Sequence, residues 1–455
     1  MPRQFVLLIC LAFVAWLFVR DRKLRPMTSG YLWLPILWFL IITSRPVSLW
    51  FGGGWSVKDP KDYLDGSPFD RNVYLLLLVL GVGVLFRRSI QWKRFYSVNP
   101  WVVALFLYWG ISVVWSDFAF VGLKRWIKDV GNVVMVLVLL TERDPVQAFR
   151  AFMARSMYVA VPFSVAVIKY YGEVGRYVTS TWDNAFCGIA TEKNALGLLA
   201  LLSGIFLVWD YAEGRDEPSR KRDKLDVMSR VLLLLMVFWL IQKANSSTAL
   251  VCLIMGSFLV VVMRTQIARR LIAYLGTYAL VAASGIVLFL SVPGLLEMFL
   301  EMLGEDLTLT GRTELWGQLM AEKLNPLLGT GYQSFWLGPR AEVYWERWSF
   351  HPNQAHNGYL ETYLNGGWIA LGFLVMLLVS SGARLKKRLM AGGSFARVLF
   401  AYFVVIIFYN WTEAMFNKMT PIWFIQLLTA VVYPKRHPLR PHSSPAKPHS
   451  ENEFS

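Results

Sequence analysis

Four cations stand out in this sequence as side chains that could bind an anion. They are Arg125 in LKRWIKD, Arg176 in GEVGRYVTS, Lys193 in TEKNALG and Arg312 in TGRTELW, each in a polar stretch beside an apolar one. Arginine can grip a phosphate group through paired hydrogen bonds, and lysine binds it as a point charge. Together these residues predict a site for a phosphate-bearing substrate. Any one of them, taken singly, is more simply explained as a solvated loop cation.

Helix starts are predicted next to two of these cations. Asn194 can cap the helix that follows Lys193. Thr310 or Thr313 can begin a helix at Arg312. Since the unpaired N–H groups and the dipole of a helix N-terminus attract negative charge, these two positions are the strongest anion-binding candidates.

His356 is the candidate for proton transfer. A neutral imidazole near physiological pH can accept a proton from a sugar hydroxyl or hold one in place. The residues after it recur at helical spacing, with an apolar side (Tyr359, Leu360, Tyr363 and Leu364) and a polar side (Asn357, Glu361 and Asn365). This helix would carry the imidazole to the surface of the apolar span that follows. The alternative is that His356 only caps the helix and that His351 only belongs to the loop.

The sequence gives little support for metal chemistry. His351 and His356 have no thiol and no tight carboxylate cluster beside them, so we expect no metal site. Cys10 and Cys252 lie inside apolar spans and Cys187 is alone in an outer loop, and we therefore expect no disulfide framework.

The elements that position these residues are apolar. The chain has 455 residues, of which 56% are hydrophobic, 15% aromatic and 17% charged, with a mean hydropathy of +0.44. Apolar runs recur along its length, near the roughly 20 residues that a helix needs to cross a bilayer. The sequence predicts an all-α, polytopic membrane protein with about 12–13 transmembrane helices.

Loop lengths divide the chain into four regions. Residues 1–291 are predicted to form N-terminal transmembrane helices with short outer loops, and residues 292–367 a large outer loop. Helical periodicity in Leu295–Leu303 and Glu314–Leu324 predicts that this loop is mostly helical. Residues 368–433 would form the C-terminal transmembrane helices. Residues 434–455 would be a cytoplasmic, disordered tail.

The net charge of +16 is explained by membrane topology. Placing the basic loops inside leaves the large loop and the candidate cations outside, with the N-terminus outside and the C-terminus inside. The excess of Lys and Arg is therefore not a sign of nucleic-acid binding. Basic loops beside the bilayer will also contact anionic membrane lipids.

The order of several short motifs resembles a known family. EKNALG (192–197) opens a span, GRTELW (311–316) and GTGY (329–332) follow, and HNGYLETYLNGGW (356–368) enters the next span. Supporting motifs are YLDGSPFDR (63–71), VVWSD (113–117) and NWTEAMF (410–416). From about residue 63 to 416 the chain resembles the O-antigen ligase and O-antigen polymerase superfamily. Within it, the chain looks most like the exopolysaccharide polymerases that resemble succinoglycan polymerase.

The resemblance implies a glycosyltransferase of the bacterial inner membrane with a GT-C-like architecture and a large periplasmic loop. Such enzymes transfer glycans from undecaprenyl diphosphate on the periplasmic side and are expected to need no cofactor or metal. The acceptor would be a glycan or another lipid-linked repeat. Further expected partners are membrane lipids, chain-length regulators and export proteins.

The resemblance also implies roles for individual residues. Arg312 and Lys193 would bind the donor diphosphate, with Arg176 and Arg125 as helpers, and His356 would orient or deprotonate the acceptor hydroxyl. Arg312 would thus be catalytic together with His356. Supporting positions would be Glu361, Tyr359, Asn357 and Glu413. Many relatives have His or Arg ahead of the Lys-Asn pair, where this chain has Glu192.

Other functions remain open at this point. An O-antigen ligase would use the same chemistry with lipid A–core as the acceptor. A lipid-linked sugar flippase or transporter would instead need ionisable groups near the centres of its spans and broken helices at the midplane. A non-enzymatic chain-length regulator would not require this set of cations and histidine.

Overall fold

The computed structural model describes residues 2–25, 28–52, 66–178, 183–213, 224–274, 312–348 and 350–433. Almost all of the regular structure there is helical. The helices are α1 (Arg3–Leu24), α2 (Trp33–Thr43), α3 (Val47–Trp50), α4 (Pro68–Arg87), α5 (Trp92–Val98), α6 (Pro100–Ser112), α7 (Ala119–Leu140), α8 (Pro145–Tyr170), α9 (Gly172–Gly175), α10 (Lys193–Glu213), α11 (Lys224–Ala244), α12 (Ser247–Val262), α13 (Gln266–Ile272), α14 (Arg312–Met320), α15 (Gly338–Arg347), α16 (Gly358–Met390), α17 (Ser394–Thr412) and α18 (Pro421–Ala430). Short 3₁₀ turns lie at Gly30–Leu32 and Val113–Trp115. A two-stranded antiparallel hairpin, β1 (Arg176–Val178) and β2 (Asn184–Phe186), completes the list.

The helices have the length and composition of membrane spans. Within the described ranges, seven helices are long and apolar enough to cross a membrane, and up to nine cross if each of two bent helix pairs is one span. The shorter apolar helices Gly30–Thr43 and Pro421–Ala430 add to these. The protein is an all-α, multi-pass membrane protein, as the sequence predicts. The apolar run after Ile272 lies mostly outside the described residues.

Helices α8 and α10 lie at the centre of the bundle. Most of their side chains are buried, and α10 packs against both α11 and α12. Helices α1 and α4 lie at the periphery and expose apolar side chains such as Leu8 and Leu75. Exposed leucines on a peripheral span are expected where the solvent is lipid.

Helix α7 begins earlier than the sequence predicts. The polar stretch around Arg125 is predicted to lie in an outer loop, but the helix starts at Ala119 and carries Lys124, Arg125 and Lys128 in its first half. This polar stretch is helical because it packs against neighbouring elements. One such contact is the hydrogen bond from the Trp126 indole to the Phe106 carbonyl, at 2.9 Å.

Ion pairs hold one end of the bundle together. Asp21 accepts hydrogen bonds from Arg25 and, at 2.7 Å, from Arg155 Nε. Asp210 lies 3.1 Å from Arg230, and Glu213 lies 3.1 Å from Arg397. These cations therefore join helices through acidic partners at the end of the bundle opposite Lys193.

The long helix α16 is bent at Gly367, which has φ +61° and ψ −165°. A Cβ atom at Gly367 would lie 2.2 Å from the backbone of Leu327, and one at Gly329 would lie 2.5 Å from the backbone of Asn365. Backbone hydrogen bonds join the two segments, including Gly331 N–H to the Asn365 carbonyl at 2.8 Å. The motifs GTGY and LNGGW are thus explained by one close backbone contact that only glycine permits.

The described part of the large loop has its own small core. Leu315 and Leu319 of α14 pack with Phe335, Trp336 and Tyr344. The helix predicted over Glu314–Leu324 corresponds to α14, whereas Leu295–Leu303 lies outside the described residues. The first turns of α16 cover this core through Leu364.

Candidate active site at one end of the bundle

A buried acid, Glu413, lies at the centre of a polar cluster. It follows directly after α17, and its side chain is only 4% exposed. Its carboxylate accepts a hydrogen bond from Asn194 Nδ2 at 3.0 Å and one from the Arg312 guanidinium at 3.3 Å. The second carboxylate oxygen lies 3.3 Å from His356 Nδ1. Three chain segments that are far apart in sequence therefore meet at one carboxylate.

Arg312 is held by its backbone position and by two partners. It is the first residue of α14, and its NH1 donates to the Thr412 carbonyl at 2.6 Å while NH2 donates to Glu413. About a quarter of the side chain, 25%, is exposed, so the guanidinium keeps an open side. Of the two predicted starts of this helix, Thr310 lies outside the described residues and Thr313 is the second residue of α14.

His356 faces the same carboxylate from the loop before α16. Its backbone has φ +48°, a strained conformation that the surrounding structure must impose. An Nδ1–H that donates to Glu413 leaves Nε2 as the unprotonated nitrogen, and the side chain is 21% exposed. In this tautomer the imidazole can accept a proton at Nε2 from a molecule in the site.

The alternative role of His356 as a helix cap is wrong. Asn357 caps α16, because its side-chain oxygen accepts from the N–H groups of Tyr359 and Leu360 at 3.0 Å each. His351 stacks on Trp345, with ring centroids 4.8 Å apart.

The EKNALG motif starts α10 at the edge of the cluster. The Glu192 carbonyl accepts from Leu196 N–H, so Glu192 takes the capping position predicted for Asn194. Asn194 instead lies in the first turn, where its amide donates to Glu413. Partial desolvation raises the pKa of the Glu192 carboxyl, and repulsion from Glu413 adds to this increase, while the electrostatic influence of the His356 ring opposes it.

Lys193 points into a cavity of about 380 Å³ next to the cluster. Lys243, at the end of α11, and Phe186 of the hairpin line both this cavity and an adjoining groove of about 470 Å³. The groove continues along apolar side chains of α8 and α11, including Trp239. The groove and the cavity therefore adjoin at Phe186 and Lys243, between an apolar helix surface and Lys193. Lys243 was not predicted as a site residue, because in the sequence it is an ordinary residue after a span.

Arg176 lines the groove and not the cluster. Its guanidinium donates to the Ile168 carbonyl at 3.0 and 2.9 Å and lies 5.4 Å from the centre of the Phe186 ring. The Lys243 ammonium lies 5.1 Å from the same ring. Arg176 and Lys243 thus flank one aromatic side chain on the path to Lys193.

Glu361 supports the loop that carries His356. Its carboxylate accepts from Ala355 N–H at 2.8 Å and Trp336 Nε1 at 3.0 Å, and it pairs with Lys418 at 3.0 Å. Lys418 is a second residue of the site that no sequence motif predicts. Tyr359 is structural, since its hydroxyl donates to the Ile407 carbonyl at 3.1 Å.

Arg125 is placed elsewhere. It lines a different cavity together with Lys124 and Lys128, and its NH1 donates to the Gln333 carbonyl at 2.7 Å. Among the predicted cations, Arg312 shares the Glu413 carboxylate with His356, and Lys193 precedes Asn194, another partner of Glu413. Arg176 lies along the groove, and Arg125 lines a different cavity.

Asp129, the last residue of LKRWIKD, is a buried acid to which the sequence motifs assign no role. It is 1% exposed in α7 and accepts from the Tyr332 hydroxyl at 3.0 Å and Trp423 Nε1 at 3.0 Å. Asn132 donates to it as well, at 2.9 Å. Because its partners come from the GTGY loop and α18, Asp129 joins both to α7.

Comparisons with known proteins agree with these features. A family model described as O-antigen ligase matches residues 230–375, which include the GRTELW, GTGY and HNGYLETYLNGGW motifs. The chain is also 28% identical over 313 residues to the exopolysaccharide production protein ExoQ of Rhizobium meliloti (strain 1021), covering 65% of this chain and 67% of that protein. These two matches support the resemblance of this chain to the O-antigen ligase and O-antigen polymerase superfamily that its motifs indicate.

Proposed function

We propose that this protein is a polymerase of the bacterial inner membrane that joins undecaprenyl-diphosphate-linked oligosaccharide repeats on the periplasmic side during exopolysaccharide synthesis. The observation that carries the proposal is the cluster of His356, Glu413 and Arg312 beside Lys193. The similarity to a protein named for exopolysaccharide production supports the choice of product.

Arg312 and Lys193 would bind the donor diphosphate. Its polyprenyl chain lies in the bilayer, and the apolar groove that leads to Lys243 and Lys193 is suited to guide it. Negative charge builds on the diphosphate as its bond to the anomeric carbon breaks. A preorganised cation that stabilises this charge contributes about 3 kcal/mol to lowering the barrier.

His356 would activate the acceptor. The acceptor hydroxyl oxygen forms a bond to the anomeric carbon, its proton passes to His356 Nε2, and the lipid diphosphate leaves with the bonding electrons. Glu413 holds Nδ1–H and stabilises the imidazolium that forms, as a carboxylate does for a catalytic histidine in other enzymes. No bound cofactor is required to balance this step.

Ligase activity is the second candidate, since the matching family model is described as O-antigen ligase. The two functions share the donor and the proposed base and differ only in the acceptor. Lipid A–core would then replace the second lipid-linked repeat.

Reconstitution of the purified protein with a defined lipid-linked repeat tests the proposal. Polymerase activity lengthens the glycan on its lipid, whereas a ligase requires added lipid A–core and a flippase only changes the leaflet of the substrate. Absence of any new glycosidic bond with either acceptor would contradict both candidates. We expect transfer to continue in EDTA, and a loss that added metal ions restore would refute the metal-independent mechanism.

A further inference from the structure

A second basic cavity lies at the same end of the bundle as the candidate active site. It has a volume of about 410 Å³ and is bounded by α4 and α7. Arg71 of α4 and Lys124, Arg125 and Lys128 of α7 line it. It shares no lining residue with the cavity and groove at Lys193 and Lys243.

The charge of this cavity is positive and its walls are apolar. Asp70 also lines it, but the Asp70 carboxylate accepts from the N–H and hydroxyl of Ser48, at 2.9 and 2.6 Å. The Lys128 ammonium lies 5.8 Å from the centre of the Tyr74 ring, inside the cavity wall. Aromatic and aliphatic walls leave little room for water around a bound anion. A phosphate group suits such a cavity, because hydrogen bonds from arginine and lysine replace part of its hydration.

The cavity also borders the lipid-facing surface. Leu75 and Ile127 line it and are 53% and 39% exposed. An anion that is attached to a hydrocarbon chain can therefore place its charged group in the cavity and its chain along these helices.

Hydrogen bonds connect this cavity to the candidate active site. Arg125 donates to the Gln333 carbonyl, and Gln333 Nε2 donates to the Asn417 carbonyl at 2.7 Å. The next residue, Lys418, pairs with Glu361, which holds the N–H of Ala355 beside His356. The two sites are thus built on one connected set of loops.

Polymerisation requires two lipid-linked substrates and hence two diphosphates. The reacting hydroxyl of the acceptor lies at the end of its glycan away from its own diphosphate, so this second diphosphate must bind at a distance from His356. We propose that the cavity of Arg71, Lys124, Arg125 and Lys128 holds the lipid-borne diphosphate of the acceptor. This assignment rests on the proposed function and gives Arg125 a role separate from the donor site.

Binding of undecaprenyl diphosphate to the purified full chain tests the assignment without relying on activity. Native mass spectrometry should detect two molecules per wild-type chain and one in the Lys124→Gln/Lys128→Gln double variant. Arg312→Ala should lose the other molecule. Arg87→Gln is the matched control, because Arg87 lies at the opposite end of α4 and donates to the Tyr31 hydroxyl. One molecule in the wild-type protein, or two in the double variant, would overturn the proposal.

Kinetics with separate substrates supply the second test. The donor is a lipid-linked repeat blocked at its acceptor hydroxyl, and the acceptor is a repeat joined to its lipid diphosphate through a methylene group, which cannot act as a donor. The double variant should raise KM for this acceptor about tenfold and leave KM for the donor unchanged. With a water-soluble acceptor that lacks phosphate, wild type and variant should react alike. Equal changes in both KM values would refute the assignment.

Ordinary anionic phospholipid is the other source of lipid-borne phosphate. Activity of the wild type and the double variant in nanodiscs with and without phosphatidylglycerol distinguishes the two sources. If the loss of activity in the variant depends on the phosphatidylglycerol content and not on the acceptor diphosphate, the cavity is a phospholipid site and the proposal is overturned. Absence of transfer in the wild-type protein would instead count against the proposed function.

Discussion

His356 Nδ1 lies 3.3 Å from Glu413 Oε2, although 57 positions separate the two residues in the chain. This contact orients the imidazole, and in the tautomer that donates from Nδ1 it leaves Nε2 able to accept a proton. The same carboxylate also holds Arg312 and Asn194, so one buried acid aligns the proposed base with the proposed anion-binding cation.

Removal of the imidazole should abolish most of the transfer. For His356→Ala we expect kcat to fall roughly 10²–10⁴-fold, the usual contribution of a positioned general base. The measurement is initial turnover of purified protein with a lipid-linked repeat. His351→Ala is the matched control, because that ring stacks on Trp345 and does not contact Glu413. Unchanged turnover in the His356 variant would exclude the base role.

Glu413→Gln should impair kcat through the tautomer of His356. A glutamine amide can donate to Nδ1, which would place the proton on Nε2 and remove the base from the acceptor side. We expect a loss of about 10²-fold or more with little change in the donor KM. Glu413→Asp keeps the charge and should recover part of the activity. Equal activity of the wild type and the Gln variant would show that the tautomer is not set by Glu413.

Arg312→Lys should lose much of the donor stabilisation even though it keeps the charge. A lysine cannot bond Thr412 and Glu413 while presenting a planar fork to a diphosphate. We expect a decrease of about 10²–10³-fold in kcat for Arg312→Ala and a smaller one for Lys. Arg347→Ala, which removes an exposed arginine that donates to Gln318, is the control. Polymer of normal length from Arg312→Ala would refute the donor role.

Glu192→Gln should change the pH dependence of donor binding. The raised pKa means that Glu192 stays neutral to a higher pH than an ordinary glutamate, and it becomes negative as the pH rises through that range. That charge disfavours a diphosphate at Lys193, so the donor KM of the wild type should increase with pH there. The Gln variant should lack this increase. The stability of the fold should also depend on pH, because a carboxyl whose pKa is raised by folding makes the folded state less stable as the pH rises. Above this pH range the Gln variant should therefore melt at a higher temperature than the wild type.

Gly367→Ala should destabilise the junction between GTGY and α16. The new Cβ would lie 2.2 Å from the Leu327 backbone at a residue with φ +61°. The strained backbone alone costs about 1–3 kcal/mol, and the overlap adds to it. Thermal unfolding in detergent measures the loss. Gly372→Ala, in the same helix with open space at its Cβ position, should melt close to the wild type.

Local patterns in the sequence predict the membrane-spanning character, the helix after His356 and the helix at Arg312, because these depend on hydropathy and helical spacing within short windows. They also single out His356, Arg312 and Lys193. Two helix ends differ from prediction by one or two residues: Asn357 caps α16, and α10 starts at Lys193. Local sequence does not fix a helix end more closely than this.

The tertiary structure decided which of these residues meet. Glu413 stood among supporting positions in the sequence, and only packing of α17 against α10 and α16 makes it the common partner of Asn194, Arg312 and His356. Lys243 and Lys418 carry no local signal, since an isolated lysine after a span reads as a loop residue. Arg125 resembles the other predicted cations in its sequence surroundings, but the fold places it in another cavity. Short-range hydropathy determines where helices form, whereas the partner of a charged side chain depends on long-range packing that no local pattern records.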